Sequence, residues 1–129
     1  MSEDLVVLKD ISRTYQKGKE KVEVLHRLDM TIEQGDFVAL MGPSGSGKTT
    51  FLNIAGLLES PTSGSYLLDG EDVSRLSDRE MSAIRNQKIG FIFQSFHLIP
   101  RLTAAQNVEL PLTLAAVPRA ARALAVHRL

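Results

Sequence analysis

Apolar and polar positions alternate through the first quarter of the chain in a way that predicts two strands. Across residues 5–15, Leu5, Val7 and Ile11 oppose Lys9 and Arg13. In the next run Val22, Val24, Leu28, Met30 and Ile32 fall on one side and Glu23, Arg27, Asp29, Thr31 and Glu33 on the other. Leu25 breaks the alternation. The charged connector Lys17-Gly18-Lys19-Glu20-Lys21 joins the two runs, so an antiparallel pair is expected. His26 falls on the apolar side, where the plainest reading is a partly buried structural histidine.

Two later runs have no polar face. Phe37-Val38-Ala39-Leu40-Met41 and Lys88-Ile89-Gly90-Phe91-Ile92-Phe93-Gln94 predict strands buried on both sides, as in a parallel sheet. Phe51, Ile54, Ala55 and Leu58 share helical spacing. Pro61-Thr62-Ser63-Gly64 is a turn cluster, Ser65 to Leu68 a short strand, and Asp69-Gly70 the turn that ends it. Ser77-Asp78-Arg79-Glu80 has capping-box form and opens a helix to about Asn86. Ser95 to Leu102 reads as a loop. Thr103-Ala104-Ala105-Gln106 caps a further helix that reaches and kinks at Pro111. Pro118, at a first helical position, starts a last segment from Arg119 to Leu129.

Composition narrows the class. In 129 residues, fifteen basic side chains balance fifteen acidic ones, so no net field recruits nucleic acid or an anionic membrane. Cysteine is absent, which excludes disulfides and thiolate metal sites. Met1-Ser2-Glu3-Asp4 is followed by no signal segment, and the apolar stretch from Leu110 to Val117 is too short to span a bilayer. Attachment to a membrane would have to go through a partner.

Between the first apolar run and the helix stands Gly42-Pro43-Ser44-Gly45-Ser46-Gly47-Lys48-Thr49-Thr50, which fits G-x-x-x-x-G-K-[ST]. A triphosphate concentrates negative charge, and the first turn of a helix offers unpaired N–H groups plus roughly half a positive charge. The glycines let the backbone curl around phosphates. Lys48 is expected to reach the β- and γ-phosphates and the Thr49 hydroxyl to take a place on Mg²⁺. Thr50 can hydrogen-bond the α-phosphate. Tyr15, from position alone, is an exposed aromatic at a strand end. Gln94 stands at the carboxyl end of its strand, where α/β sheets bind ligands; contact with the metal or an attacking water and simple exit to solvent are equally open.

These motifs together resemble the ATP-binding subunit of an ABC transporter, most of all the branch serving lipoprotein release and macrolide-type export. The resemblance is carried by Leu8-Lys9-Asp10-Ile11-Ser12-Arg13-Thr14-Tyr15, by the Met41 to Thr50 loop, and by Leu57-Leu58-Glu59-Ser60-Pro61-Thr62-Ser63-Gly64. It continues through Ile89-Gly90-Phe91-Ile92-Phe93-Gln94-Ser95-Phe96 and Asn107-Val108-Glu109-Leu110-Pro111-Leu112. The fold it implies is α/β: a partial P-loop NTPase core, an N-terminal antiparallel β subdomain and the start of a helical subdomain. It implies a division near residue 95, with the glutamine-loop region and helical start from about 96 to 129. Tyr15 becomes the aromatic that stacks on adenine, and Gln94 the residue that senses Mg²⁺ and the γ-phosphate. Ser95 to Thr103 becomes the docking surface for a transmembrane permease subunit, with a second nucleotide-binding subunit closing head-to-tail around ATP. The implied location is the cytoplasmic face of the cell membrane, held there by partners.

The LSGGQ-type signature, the apolar strand ending in aspartate-glutamate and the switch histidine do not occur in this sequence. Neither His97 nor His127 follows the required strand. The resemblance therefore covers about the first half of a nucleotide-binding domain, and Leu129 follows no helix stop signal, which predicts a chain cut short. ATP binding without turnover is expected, with Lys48 and Gln94 as an incomplete catalytic set. A regulator docking on a transporter and another P-loop ATPase are the alternatives. A sheet missing strands is also expected to leave apolar faces open.

Overall fold

The computed structural model describes residues 4–127. The chain forms two compact units, Met1–Ser82 and Ala83–Leu129. In the first unit, strands β1 (Asp4–Lys17) and β2 (Glu20–Glu33) form the expected antiparallel hairpin, turning at Gly18 with φ 64°. Helix α1 (Lys48–Ala55) is followed by strands β3 (Ser63–Leu68) and β4 (Glu71–Asp72). The sheet order is β2-β1-β3-β4, antiparallel throughout, with β1 central.

The hairpin departs from the expected alternation for a local reason. The register slips by one residue on β1 between Leu8 and Ile11, then by one on β2 between Leu28 and Leu25. Asp10 and Arg27 sit in these bulges at φ 52° and 47°. The alternation survives at Ile11, Leu28, Met30 and Ile32 and shifts locally around each bulge. On β1 the core side chains are Leu8 and Ile11, while Leu5 is exposed. On β2 Leu25, the apparent exception, is buried, and Val22 is exposed. His26 is carried outward with Leu25 turned in: its side chain is 70% exposed and its Nδ1 lies 3.2 Å from a Glu23 carboxylate oxygen. The structural, partly buried histidine is thereby corrected to a surface one. Side chains fill the space the bulges open: Asp10 N–H donates to Asp29 Oδ1 at 2.6 Å, and Arg27 N–H to Ser12 Oγ at 3.0 Å.

Gly64 holds β3 against the first bulge. At φ 99° it runs so close to β1 that a Cβ would meet the Asp10 carbonyl oxygen at 2.5 Å. The sheet supplies Leu8, Ile11, Leu25, Tyr66 and Leu68 to the core and α1 supplies Phe51 and Ile54, joined by Leu57 and Val73 from the connections and Met81 from the following helix. Helix α1 stops earlier than the spacing to Leu58 suggests. Leu58 N–H donates to Asn53 O and Leu57 N–H to Ile54 O, with Leu57 at φ 54°, a Schellman ending that turns Leu57 into the core and leaves Leu58 exposed. Tyr66 meets the same end: its hydroxyl donates to Ala55 O at 2.7 Å, and burial pushes its pKa up to about 12.

Helix α2 (Asp78–Lys88) begins at the expected box, with Ser77 N–H donating to Glu80 Oε2 at 2.8 Å. In the second unit, α3 (Ala104–Leu114) carries a complete Thr103–Gln106 capping box and runs through Pro111, and α4 (Arg119–Val126) starts one residue after Pro118, which caps it. Arg122 Nε donates to Glu109 Oε1 across the two helices at 2.5 Å. The segment expected to run to Leu129 is helical only as far as Val126, and residues 128–129, like Met1–Glu3, lie outside the described residues.

The two runs expected as doubly buried strands are not strands. Neither Phe37–Met41 nor Lys88–Gln94 contributes a strand to the sheet among the described residues; Lys88 ends α2 instead, and Phe37 and Ile92 are fully exposed at 97% and 102%. An apolar run signals that burial is favourable, but a strand also needs a ladder partner for its N–H and C=O groups. Phe91 and Phe93 instead stack on one another with centroids 5.4 Å apart.

Candidate functional site

The glycine loop leads into α1 through Gly47, which sits at φ 92° and ψ 6°. That conformation suits glycine, and a Cβ here would also press on Leu25 and the Val24 carbonyl at 3.0–3.1 Å. The bulge that turns Leu25 inward thus fixes where the loop can run. Upstream, Ser46 N–H donates to Pro43 O at 3.2 Å and closes a turn over Pro43–Ser46. The first intrahelical bond runs from Phe51 N–H to Gly47 O at 2.9 Å, so the amides of Lys48, Thr49 and Thr50 have no helical acceptor. No side chain caps this end, and the first turn holds no acidic residue. These amides are left for a ligand.

Val24, Ser44, Gly45, Gly47, Lys48, Thr49 and Thr50 line an open cavity of about 610 Å³ in front of that turn. This is the size range of small-molecule sites. Lys48 Nζ donates to Gly42 O and Pro43 O, each at 2.7 Å, and to Ser46 Oγ at 3.3 Å. The ammonium is thereby held over the loop, bracing its own backbone. Gly42 to Thr50 are brought together as the sequence predicts.

Tyr15 belongs to the same unit. Its hydroxyl donates to Glu59 Oε2 at 2.7 Å and lies 3.5 Å from Oγ1 of Thr50, a residue that lines the cavity, although Tyr15 itself does not line it. Sequence reasoning missed the residues that surround it. Arg13 pairs with Glu59 Oε1, donates to Ser60 O at 2.8 Å, and lays its guanidinium 4.7 Å from the Tyr15 ring centroid. Positions 13 and 15 share one strand, but nothing in one dimension joins either to position 59. Val24, a core position by its alternation, serves as a cavity wall. Gln94 is carried by the second unit and is exposed; it is not among the residues the first unit assembles.

The donors present fit magnesium only in one manner. Among the described residues no group of three or more His, Cys, Asp or Glu could cage an ion. A lone Thr49 hydroxyl beside Lys48 and free amides suits a hard cation that arrives with phosphate oxygens and water as its remaining ligands.

The model of the ABC transporter family matches residues 25–128, most of the chain. The chain belongs to the ABC transporter family. Within that family it is 55% identical over 108 residues to the uncharacterized ABC transporter ATP-binding protein YknY of Bacillus subtilis, covering 84% of this chain and 47% of that protein. It is 52% identical over 118 residues to the macrolide export ATP-binding/permease protein MacB of Brucella abortus, covering 92% of this chain and 18% of MacB. The ABC cassette MJ0796, solved as a dimer in a post-hydrolysis state with ADP and Pi, matches with a TM-score of 0.85 and 44% identity. That match covers 95% of this chain and 54% of the cassette. The chain therefore has the ABC cassette's α/β fold and spans about half the length of YknY and of the solved cassette. No helix among the described residues is long and apolar enough to cross a membrane.

Proposed function

We propose that this ABC-family chain binds MgATP on the loop from Gly42 to Thr50 and serves as the ATP-binding part of a transporter. The observation that carries the reading is the uncapped first turn of α1 facing an open cavity, with the Lys48 ammonium held at its rim. Three unpaired amides and one cation complement a polyphosphate. Thr49 would hold Mg²⁺, which when bound neutralises charge between the β- and γ-phosphates. Thr50 would take the α-phosphate, Tyr15 would stack on the base, and Gln94 would reach the metal and γ-phosphate. That the solved relative was captured with ADP and Pi supports the nucleotide class.

The partners proposed are transmembrane permease subunits and a second nucleotide-binding subunit, with the complex at the cytoplasmic face of the membrane. The exposed Phe96 and Leu98 support Ser95 to Thr103 as the permease contact, and the dimeric relative supports a paired cassette. The part MacB plays in macrolide export supports export as the transport direction. The 129 residues alone are proposed to bind without turnover, since they bring Lys48 and Gln94 but none of the carboxylates that position water for phosphoryl transfer.

Calorimetric titration tests this. The chain should bind MgATP saturably and more tightly than AMP, and Lys48→Ala should weaken MgATP about tenfold or more, as loss of a charged hydrogen-bonding group does. Phosphate release should match the Lys48→Ala background. Equal affinity for ATP in wild type and variant would overturn the binding reading, and release above background would overturn the claim of no turnover.

A further inference from the structure

Arg13 and Glu59 lie outside the phosphate loop, yet both engage the ring of Tyr15, whose hydroxyl lies beside Thr50. The Tyr15 hydroxyl has a single proton, and the Glu59 carboxylate at 2.7 Å receives it. Thr50 Oγ1, at 3.5 Å, is then a long neighbour whose own proton is not needed by Tyr15. The other carboxylate oxygen of Glu59 takes the Arg13 guanidinium, which also donates to Ser60 O at 2.8 Å and so is tied to the turn after α1. The guanidinium carbon stands 4.7 Å from the centre of the tyrosine ring. Arg13 Nε is buried without a hydrogen-bond partner among the described residues, so this cation keeps its place through the ring and the carboxylate rather than by filling every donor. Both side chains of the pair are about four-fifths covered, at 23% and 21% exposure, which protects their attraction from the screening that weakens surface pairs.

We propose that the Arg13–Glu59 pair is the positioning device for Tyr15: it pins the phenol hydroxyl, covers one face of the ring, and leaves the other face to a planar base. The proposal rests on the reading of Tyr15 as the base platform for a nucleotide on Gly42–Thr50. Its content is that the energy of base recognition depends on two residues that touch no nucleotide. A ring free to turn about its side-chain bonds would lose rotamer entropy on stacking; a ring already fixed at its hydroxyl and one face has lost it beforehand.

The test compares MgATP with magnesium tripolyphosphate, which shares the phosphates and lacks the base. Competition titrations on the 129-residue chain give the ratio of the two affinities for wild type and each variant. Tyr15→Ala should lower that ratio about ten- to a hundredfold, the range of base–aromatic stacking. Glu59→Ala should lower it about three- to tenfold, the range of a fixed aromatic contact, with tripolyphosphate affinity unchanged. Glu59→Gln, which still offers an oxygen to the hydroxyl, should recover most of the loss. Tyrosine emission gives a second readout: the chain has no tryptophan and two tyrosines, and Tyr66 is buried, so quenching by ATP reports on Tyr15.

If Tyr15→Ala lowers the ratio while Glu59→Ala leaves it at the wild-type value, the platform stands and the positioning role is refuted. If Tyr15→Ala leaves the ratio unchanged, the platform reading fails and takes the proposal with it. Should Glu59→Ala also abolish tripolyphosphate binding by stranding the arginine charge, the double variant Arg13→Met, Glu59→Leu decides. A lowered ratio with intact tripolyphosphate binding there supports the proposal, and a wild-type ratio overturns it.

Discussion

The two units of this chain make their structure by different means. In Met1–Ser82 a four-stranded sheet and α1 enclose Leu8, Ile11, Ile54, Leu57 and Tyr66 at 1% exposure or less. In Ala83–Leu129 no described side chain is buried, and Ile92, Phe96, Leu98, Leu114 and Leu124 are all more than 60% exposed. What holds α3 and α4 is local: the Thr103 capping box, the Asn107 side-chain amide (its Oδ1 accepting from Ile99 N–H and its Nδ2 donating to the carbonyls of Ile99, Leu102 and Thr103), a Schellman ending at Ala116 and the Glu109–Arg122 pair. Such devices contribute about 1 kcal/mol each, and isolated helices this short are marginal without packing. Hydrogen bonds specify a helix's ends; burial decides whether it persists.

Substitutions in the two units should therefore differ widely in cost. The largest effect is expected at Ile54, fully buried under the sheet: Ile54→Ala should cost about 2–5 kcal/mol in chemical denaturation of the first unit. A loss below about 1 kcal/mol would mean that the unit has no packed core. Next, Gly64→Ala forces a Cβ onto the Asp10 carbonyl at a positive φ and should cost about 1–3 kcal/mol, read in the same assay. Tyr66→Phe removes the bond to Ala55 O and should cost about 1 kcal/mol near neutral pH.

Tyr66 also sets an alkaline limit. Its pKa is raised from 10.0 to about 12, so the folded state favours the neutral phenol. Its contribution is full below pH 10 and is lost as pH rises toward 12; Tyr66→Phe should flatten that decline in a pH series of melting curves. The smallest effect belongs to the second unit. Leu114→Ala and Leu124→Ala should each change stability by less than about 0.5 kcal/mol, because both side chains are mostly exposed, at 74% and 65%. A loss of several kcal/mol at either position would show that the second unit packs in solution.

The same contrast explains how much of the molecule is legible in its sequence. The hairpin, the short strand before Asp69-Gly70, both capping boxes and the phosphate loop are written in local patterns, and all can be read there. The bulges cannot. Asp10 and Arg27 occupy left-handed positions without glycine to announce them, so simple alternation keeps Ile11, Leu28, Met30 and Ile32 on the covered side but misplaces Leu8, Leu25 and His26. Phe37–Met41 and Lys88–Gln94 look like strands because apolar content reports a preference for burial, whereas a ladder depends on a neighbour elsewhere in the chain. In the site, Gly42 to Thr50 are visible as a contiguous motif. Arg13 and Glu59 are not, since only the fold brings 13, 15 and 59 together.

The central claim is that free amides at the start of α1 grip a polyphosphate. Backbone amide chemical shifts of Gly45, Gly47, Lys48 and Thr49, followed while MgATP is titrated into the 129-residue chain, test it most directly. Saturable shifts are expected at these four amides, and they should vanish in Lys48→Ala. Shifts absent there at millimolar MgATP, or confined to Ser95–Thr103, would contradict it.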